Sequence, residues 1–183
     1  LVNTGASFSR FFPNKLTNAG TGMNYGIELT IQKYFSHQYY FMISSSVFES
    51  KYKGSDGVLR NTDFNGHYAA NFLGGKEFTV GKNDVFSIGG KITTAGGRWY
   101  GPVDTIESVK QADVIFVDSL RNTQQFSDYF RADVKLNYRI NAGKVTHEIG
   151  LDLVNVFGTR NILKLTYAPN EFDPSAGPIR YEY

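Results

Sequence analysis

Cysteine is absent from this 183-residue chain, and proline, histidine, methionine and tryptophan are scarce, at 5, 3, 2 and 1 residues. The absence of cysteine excludes a disulfide framework, thiolate metal sites and a cysteine nucleophile. No run approaches about 18 consecutive apolar residues, so no transmembrane helix is predicted. Membrane-spanning β-strands remain compatible with the sequence, because they alternate apolar and polar residues and contain no long apolar run. The net charge of +2 gives no electrostatic argument for nucleic acid, and no nucleic-acid partner is predicted.

Catalytic and metal-binding patterns are also missing from the sequence. The three histidines lack metal-ligand spacing, and neighbours in a strand such as His147 and Glu148 point to opposite faces. The glycine pairs Gly74-Gly75 and Gly89-Gly90 have no following Lys-Ser/Thr, so they are not phosphate loops. We therefore predict a non-enzyme with no metal and no cofactor.

Aromatic residues are abundant, with 12 Tyr and 15 Phe, and the chain alternates apolar and polar residues over long segments. This period of two predicts strands that place their apolar residues on one face. The segments lie at 23–35, 39–47, 65–80, 85–95, 130–140 and 145–153. We expect Ile31 to pair with Ile43 and Phe35 with Tyr39 across a connection at Ser36–Gln38.

The last two segments predict a hairpin with one charged face. A four-residue connection at Asn141–Lys144 would pair Ile140 with Val145 and Leu136 with Ile149. Arg139, Lys135, Glu148 and Asp152 would then lie within diagonal reach of one another, either as a solvated face with weak ion pairs or as the charged wall of a lumen. We predict that one set faces outward and the other faces the interior: Ala132, Val134, Leu136, Ile149 and Leu151 outward, and Arg131, Asp133, Lys135, Glu148 and Asp152 inward.

Connection lengths alternate along the chain. Short polar turns are predicted near Ser36–Gln38, Gly81–Asp84 and Asn141–Lys144, and long irregular stretches near Tyr52–Phe64, Ala95–Phe126 and Phe157–Gly177. Short turns at one end and long loops at the other are the plan of an outer-membrane barrel. The Gly74-Gly75 pair indicates a bulge or bend. The predicted fold is all-β, an antiparallel up-and-down transmembrane β-barrel of which this chain is a part.

Several short motifs resemble, in order and spacing, those of TonB-dependent outer-membrane receptors. They are Asn24–Leu29, Lys51–Gly57 with Arg60-Asn61-Thr62, Asn71–Phe78, Gly96–Pro102, Asp128–Arg131, Thr146–Ile149 and Leu153–Phe157. The resemblance runs from about Leu1 to Tyr183. It implies that residues 1–183 are the C-terminal segment of a larger plugged barrel, whose plug domain and terminal strand lie outside this chain.

The resemblance also implies function, location and partners. Receptors of this family import bulky or scarce solutes across the Gram-negative outer membrane. The implied partners are the remainder of the barrel with its plug, the TonB complex acting through an N-terminal region, outer-membrane lipid and a solute of unknown identity.

Candidate ligand-binding residues lie on the long loops, since loops on rigid scaffolds carry function. Arg98, Trp99 and Tyr100 combine stacking and hydrogen-bonding groups, and Arg60, Asn61, Asp63 and Asp104 are further candidates. An alternative places Trp99 and Tyr100 in an outer aromatic girdle. Two other functions stay open: a soluble lipocalin-like ligand-binding barrel, and a structural or adhesive outer-membrane barrel.

Overall fold

A computed structural model describes residues 19–170, 172 and 176–183. The start of the family resemblance, near Leu1, and part of the predicted 157–177 loop lie outside these residues. The strands are β1 (Thr21–Ser36), β2 (Tyr39–Lys53), β3 (Leu59–Asn61), β4 (Tyr68–Val80), β5 (Asp84–Ala95), β6 (Trp99–Tyr100), β7 (Gln124–Gln125), β8 (Tyr129–Ala142), β9 (Val145–Leu153), β10 (Lys164–Tyr167) and β11 (Ile179–Glu182). A helix, α1 (Thr105–Gln111), and a 3-10 turn at Asp118–Leu120 lie between β6 and β7.

The six long strands form one antiparallel up-and-down sheet in the order β1-β2-β4-β5-β8-β9. This confirms the predicted all-β class and the adjacency of strands that follow each other in sequence. The tight β1–β2, β4–β5 and β8–β9 turns therefore share one edge, the short-turn rim, and the longer connections share the opposite long-loop rim. The sheet is open over the described residues, with β1 and β9 as its edges, so closure into a barrel stays a prediction.

The strand register brings the apolar set of every long strand onto a single face. Ile31, Ile43, Phe72, Ile92 and Ala132 lie opposite one another in a row across five strands. A parallel row on the other face runs Tyr40, Gly75, Gly89, Lys135 and Asp152. We call these the apolar face and the polar face. Period-2 alternation in the sequence thus becomes a two-sided sheet.

The apolar face is largely uncovered. Ile27 is 80% exposed, and Leu29, Val47, Phe72, Ile92, Ile149 and Leu151 are also exposed. Among the described residues, Tyr52 and Ala132 are the hydrophobic residues that are buried. The stability of this sheet therefore comes from its ladders and cross-strand pairs rather than from an enclosed core. In the described part of the chain, no helix has the length and hydropathy to cross a membrane.

The β1–β2 turn is tighter than predicted. Ile31 pairs with Ile43 as expected, but Ser36, and not Phe35, lies opposite Tyr39, with a register shift between Lys33 and Ser36. The turn residues His37 and Gln38 have φ of 54° and 67°. Positive φ at both central residues is the geometry of a two-residue hairpin turn that matches strand twist, and the extra residue is absorbed as a bulge.

The predicted β8–β9 register is wrong by two residues. Leu136 pairs with Leu151, and Ala142 with Val145, because the strands continue to a two-residue turn at 143–144 with Gly143 at φ 34°. A shift of two keeps every side chain on its predicted face. It also moves the charges from diagonal to direct opposition: Arg139 lies opposite Glu148, and Lys135 opposite Asp152.

The glycine pair at 74–75 does not form the predicted bulge. Pairing is continuous through Gly74–Gly90 and Gly75–Gly89. A Cβ on Gly75 would lie 2.8–2.9 Å from three atoms of the Tyr40 side chain, the hydroxyl oxygen and two ring carbons. The missing side chain makes room for an aromatic ring on the polar face.

The long stretches are not irregular throughout. They contain β3, β6, β7 and α1, and the β10–β11 hairpin follows β9. These elements are only two to seven residues long, and such lengths give too few repeats for a period to be recognised in the sequence.

Candidate ligand-binding site at the long-loop rim

Two short strand pairs extend the ladder beyond the long-loop rim. β3 pairs with the end of β2, so that Arg60 lies opposite Tyr52, and β6 pairs with β7, so that Trp99 lies opposite Gln125. The Trp99 N–H donates to the Asp63 carbonyl at 2.8 Å, which joins β6 to the segment after β3. Candidates from two separate loops are thereby brought side by side.

Asn65 is fully buried and organises this junction. Its Oδ1 accepts from the Ser50 N–H at 2.8 Å, and its Nδ2 donates to Asn61 Oδ1 at 2.9 Å. Its carbonyl accepts from Trp99 Nε1 at 2.6 Å. A buried amide stays only where its groups are paired, so Asn65 fixes the Trp99 indole in place. Asn65 is not among the site residues that the sequence predicts.

Asn122 connects the two long loops. Its Nδ2 donates to the Asn61 carbonyl at 2.7 Å and to Asp63 Oδ1 at 2.8 Å. Asn122 is buried and has φ 57°, a conformation that asparagine tolerates better than most residues. It holds Asn61 and Asp63 through about 60 residues of intervening chain, a link that sequence spacing could not indicate.

Glycines let the two loops approach each other. A Cβ on Gly96 would lie 1.7 Å from the Gly66 carbonyl oxygen, and one on Gly97 would lie 1.9 Å from the Phe126 carbonyl oxygen. No L side chain fits at such distances, so the Gly96-Gly97 pair is required by close backbone packing. It places Arg98 directly after the contact.

A cavity of about 300 Å³ lies beside these elements, and we call it the rim cavity. Its wall comes from the segments around β6, the α1–β7 connection and β10. Four of the predicted candidates line it: Asp63, Arg98, Trp99 and Tyr100. The lining also includes residues that are not among the predicted candidates: Asp113, Arg121, Asn122, Phe126, Lys164 and Thr166.

Three candidates do not line the rim cavity. Arg60 forms a 2.6 Å ion pair with Asp56 and donates to the Ser119 carbonyl at 3.1 Å. Asn61 is occupied by Asn65 and Asn122. Asp104 caps α1, because its Oδ1 accepts from the Glu107 N–H at 3.0 Å.

Arg98 is held over the rim cavity by two contacts. Its Nη1 donates to the Leu163 carbonyl at 3.1 Å, and its guanidinium carbon lies 4.6 Å from the centre of the Phe64 ring. Its Nε is buried and lacks a hydrogen-bond partner within the described residues. A buried donor without a partner is rare and calls for an explanation.

Aromatic rings form one wall of the rim cavity. Tyr100 stacks on Phe126 with ring centroids 4.1 Å apart and an interplanar angle of 11°, and Phe126 forms a T-shaped pair with Tyr181. Burial raises the pKa of the Tyr100 hydroxyl, and the nearby Tyr181 raises it further. The Tyr100 hydroxyl is therefore a neutral donor well above neutral pH.

The carboxylates that line the rim cavity have closer partners than the cations do. Both carboxylates accept from the protein, Asp63 from Asn122 at 2.8 Å and Asp113 from the Val114 N–H at 2.7 Å. The cations are held more loosely: Arg121 lies 3.9 Å from Asp118, and Lys164 lies 3.4 Å from Glu182. Three cationic side chains thus face two carboxylates that already have partners.

No family model, curated protein or solved structure matches the chain. The likeness to TonB-dependent receptors therefore rests on the motifs of the sequence. Among the described residues, no group of three His, Asp or Glu side chains is placed to hold a metal ion.

Proposed function

We propose that this chain forms part of the wall and outer loops of a TonB-dependent outer-membrane receptor that takes up a bulky or scarce solute. The observation that carries the proposal is the continuous, exposed apolar face. Six strands about 4.8 Å apart are about 24 Å wide, and nine residues of strand are about 30 Å long. Their product, roughly 700 Å², exceeds the largest patch of most soluble monomers, about 300–600 Å².

Strand length and aromatic placement support the same assignment. The six long strands have 9 to 16 residues, and a tilted membrane-crossing strand needs about 9–11. Tyr39 lies on the apolar face and is exposed beside the first short turn. Rings at the end of an apolar band suit a membrane–water boundary. On this assignment the polar face lines the interior and the short-turn rim is periplasmic.

Substitutions on the two faces of β8 test the wall. A lysine on the lipid face near the bilayer midplane costs about 2–4 kcal/mol, whereas loss of an interior charge costs little. Leu136→Lys should therefore lower the outer-membrane yield and abolish heat-modifiable gel mobility of the intact protein, while the neighbouring Lys135→Gln should leave both unchanged. Equal tolerance of the two changes would contradict this orientation and favour a soluble barrel with the apolar face inward.

A second measurement separates a receptor from a structural or adhesive barrel. The intact protein should bind the periplasmic domain of TonB in a detergent pull-down, because energy for uptake enters through that complex in the family. A correctly assembled protein that fails to retain TonB would keep the wall assignment and remove the transport assignment.

A further inference from the structure

We propose that the rim cavity binds the anionic group of a small solute, a carboxylate or a phosphate, with Arg98 as its anchor. Describing the ligand as a solute rests on the proposed uptake function. The ligand chemistry rests on the cavity lining alone, so the two can fail separately.

The first support is the state of the Arg98 guanidinium. The Leu163 carbonyl and the Phe64 ring fix its position and use one edge, while the buried Nε has no partner within the described residues. An unmade buried donor is unfavourable, so the guanidinium gains from a small shift that lets an oxyanion reach Nε. The planar guanidinium fork matches the two oxygens of a carboxylate or phosphate.

The second support is the charge of the lining. Arg121 and Lys164 add two cations to Arg98, and their own acidic partners lie at 3.9 and 3.4 Å. The two lining carboxylates, Asp63 and Asp113, already accept hydrogen bonds from protein N–H groups. The lining therefore carries one net positive charge. The hydrogen-bond donors that remain available belong to its cationic side chains.

The third support is size and shape. A volume of about 300 Å³ lies at the lower end of the range for ligand pockets. The stacked Tyr100 and Phe126 rings supply an apolar wall, which is usual in such sites. A small organic anion, or the acidic group of a larger solute, fits this combination better than an uncharged sugar, which would leave the net positive charge of the lining unbalanced.

The test is calorimetric titration of the intact protein in detergent at low ionic strength, with citrate and inorganic phosphate as separate probes and chloride as the control anion. We expect saturable binding of at least one probe and none of chloride. Arg98→Gln should weaken the binding by about tenfold or more, which is the range for a charge-assisted hydrogen bond. Arg98→Lys, which keeps the charge but loses the fork, should give an intermediate value.

The matched control is Lys144→Gln, which removes one positive charge at the short-turn rim and should change binding by less than about twofold. If Arg98→Gln fails to assemble, Arg121→Gln on the same cavity should still weaken binding by about threefold, since its cation is more exposed. Any of three results would overturn the proposal: wild-type binding by the Arg98 and Arg121 variants, an equal loss of binding in Lys144→Gln, or no saturable binding of citrate or phosphate. If neither anion binds but Leu136→Lys impairs assembly as expected, the proposed anion site is wrong and the wall assignment stands.

Discussion

At the scale of single residues, the rim is determined by positions that have no side chain or one buried amide. Gly66 and Gly96 are in backbone contact, and Asn65 and Asn122 join segments that are distant in sequence. Each meets a local geometric requirement: either two backbone segments must come into contact, or one buried amide must have hydrogen-bond partners. Arg98 and Trp99 are placed by these neighbours.

Gly96→Ala should therefore disrupt the rim, because its Cβ would meet the Gly66 carbonyl oxygen at 1.7 Å. Overpacking of this kind costs about 1–3 kcal/mol. Gly90→Ala is the matched control, since the Cβ would have its nearest neighbour, the Asp133 carbonyl oxygen, at 3.8 Å. Chemical-denaturation midpoints of the intact protein in detergent should fall for Gly96→Ala alone. Equal midpoints would show that the two loops separate without cost.

At the scale of elements, hairpins are defined by their turns. The β1–β2 turn uses His37 and Gln38 at positive φ, where glycine is the least strained residue. The β8–β9 turn uses Gly143 at φ 34° and sets a register that places Arg139 opposite Glu148. Turn length, rather than the preference of either strand, decides which charged side chains meet.

Gln38→Gly should stabilise the first hairpin by about 1 kcal/mol, because glycine adopts a left-handed conformation without the clash of a Cβ. The same change within β1, Gln32→Gly, should destabilise it by roughly 0.5–1 kcal/mol, since glycine in a strand interior adds entropy to the unfolded chain. The measurement is the denaturation midpoint of each variant in detergent. If both variants lower the midpoint, the turn geometry at Gln38 is wrong.

At the scale of the whole molecule, the sheet has two chemically different faces and two unpaired edges over the described residues. β1 and β9 present free backbone groups, and the apolar face presents side chains such as Ile27 and Leu151. In lipid, unpaired backbone is costly, so both edges require further strands if the apolar face lies in a membrane. The proposed wall accounts for the apolar face, and it predicts that further strands pair with β1 and β9.

The intact protein should accordingly need detergent to stay dispersed, because water would otherwise contact an apolar face that extends across six strands. Size-exclusion chromatography with and without detergent measures this. A monodisperse species in plain buffer, with unchanged secondary structure, would contradict a lipid-facing wall and favour the soluble ligand-binding barrel.

The sequence by itself determined the all-β class, the approximate positions of the six long strands and which residues share a face. Alternation is local, since each residue's side is set by its immediate neighbours. It also identified Asp63, Arg98, Trp99 and Tyr100, which the structure brings to one cavity. It did not yield the β8–β9 register, because a shift of two residues leaves the alternation unchanged.

Only the tertiary structure decided how the long loops meet. Asn122 reaches Asp63 across 59 positions, and Lys164 reaches the same cavity from β10. Such contacts depend on which strands are neighbours and on how far each loop extends above the sheet, and neither quantity is written in a local pattern. Asp104 illustrates the difference: a loop carboxylate in the sequence becomes a helix cap in the fold, because α1 is too short to be recognised by its period.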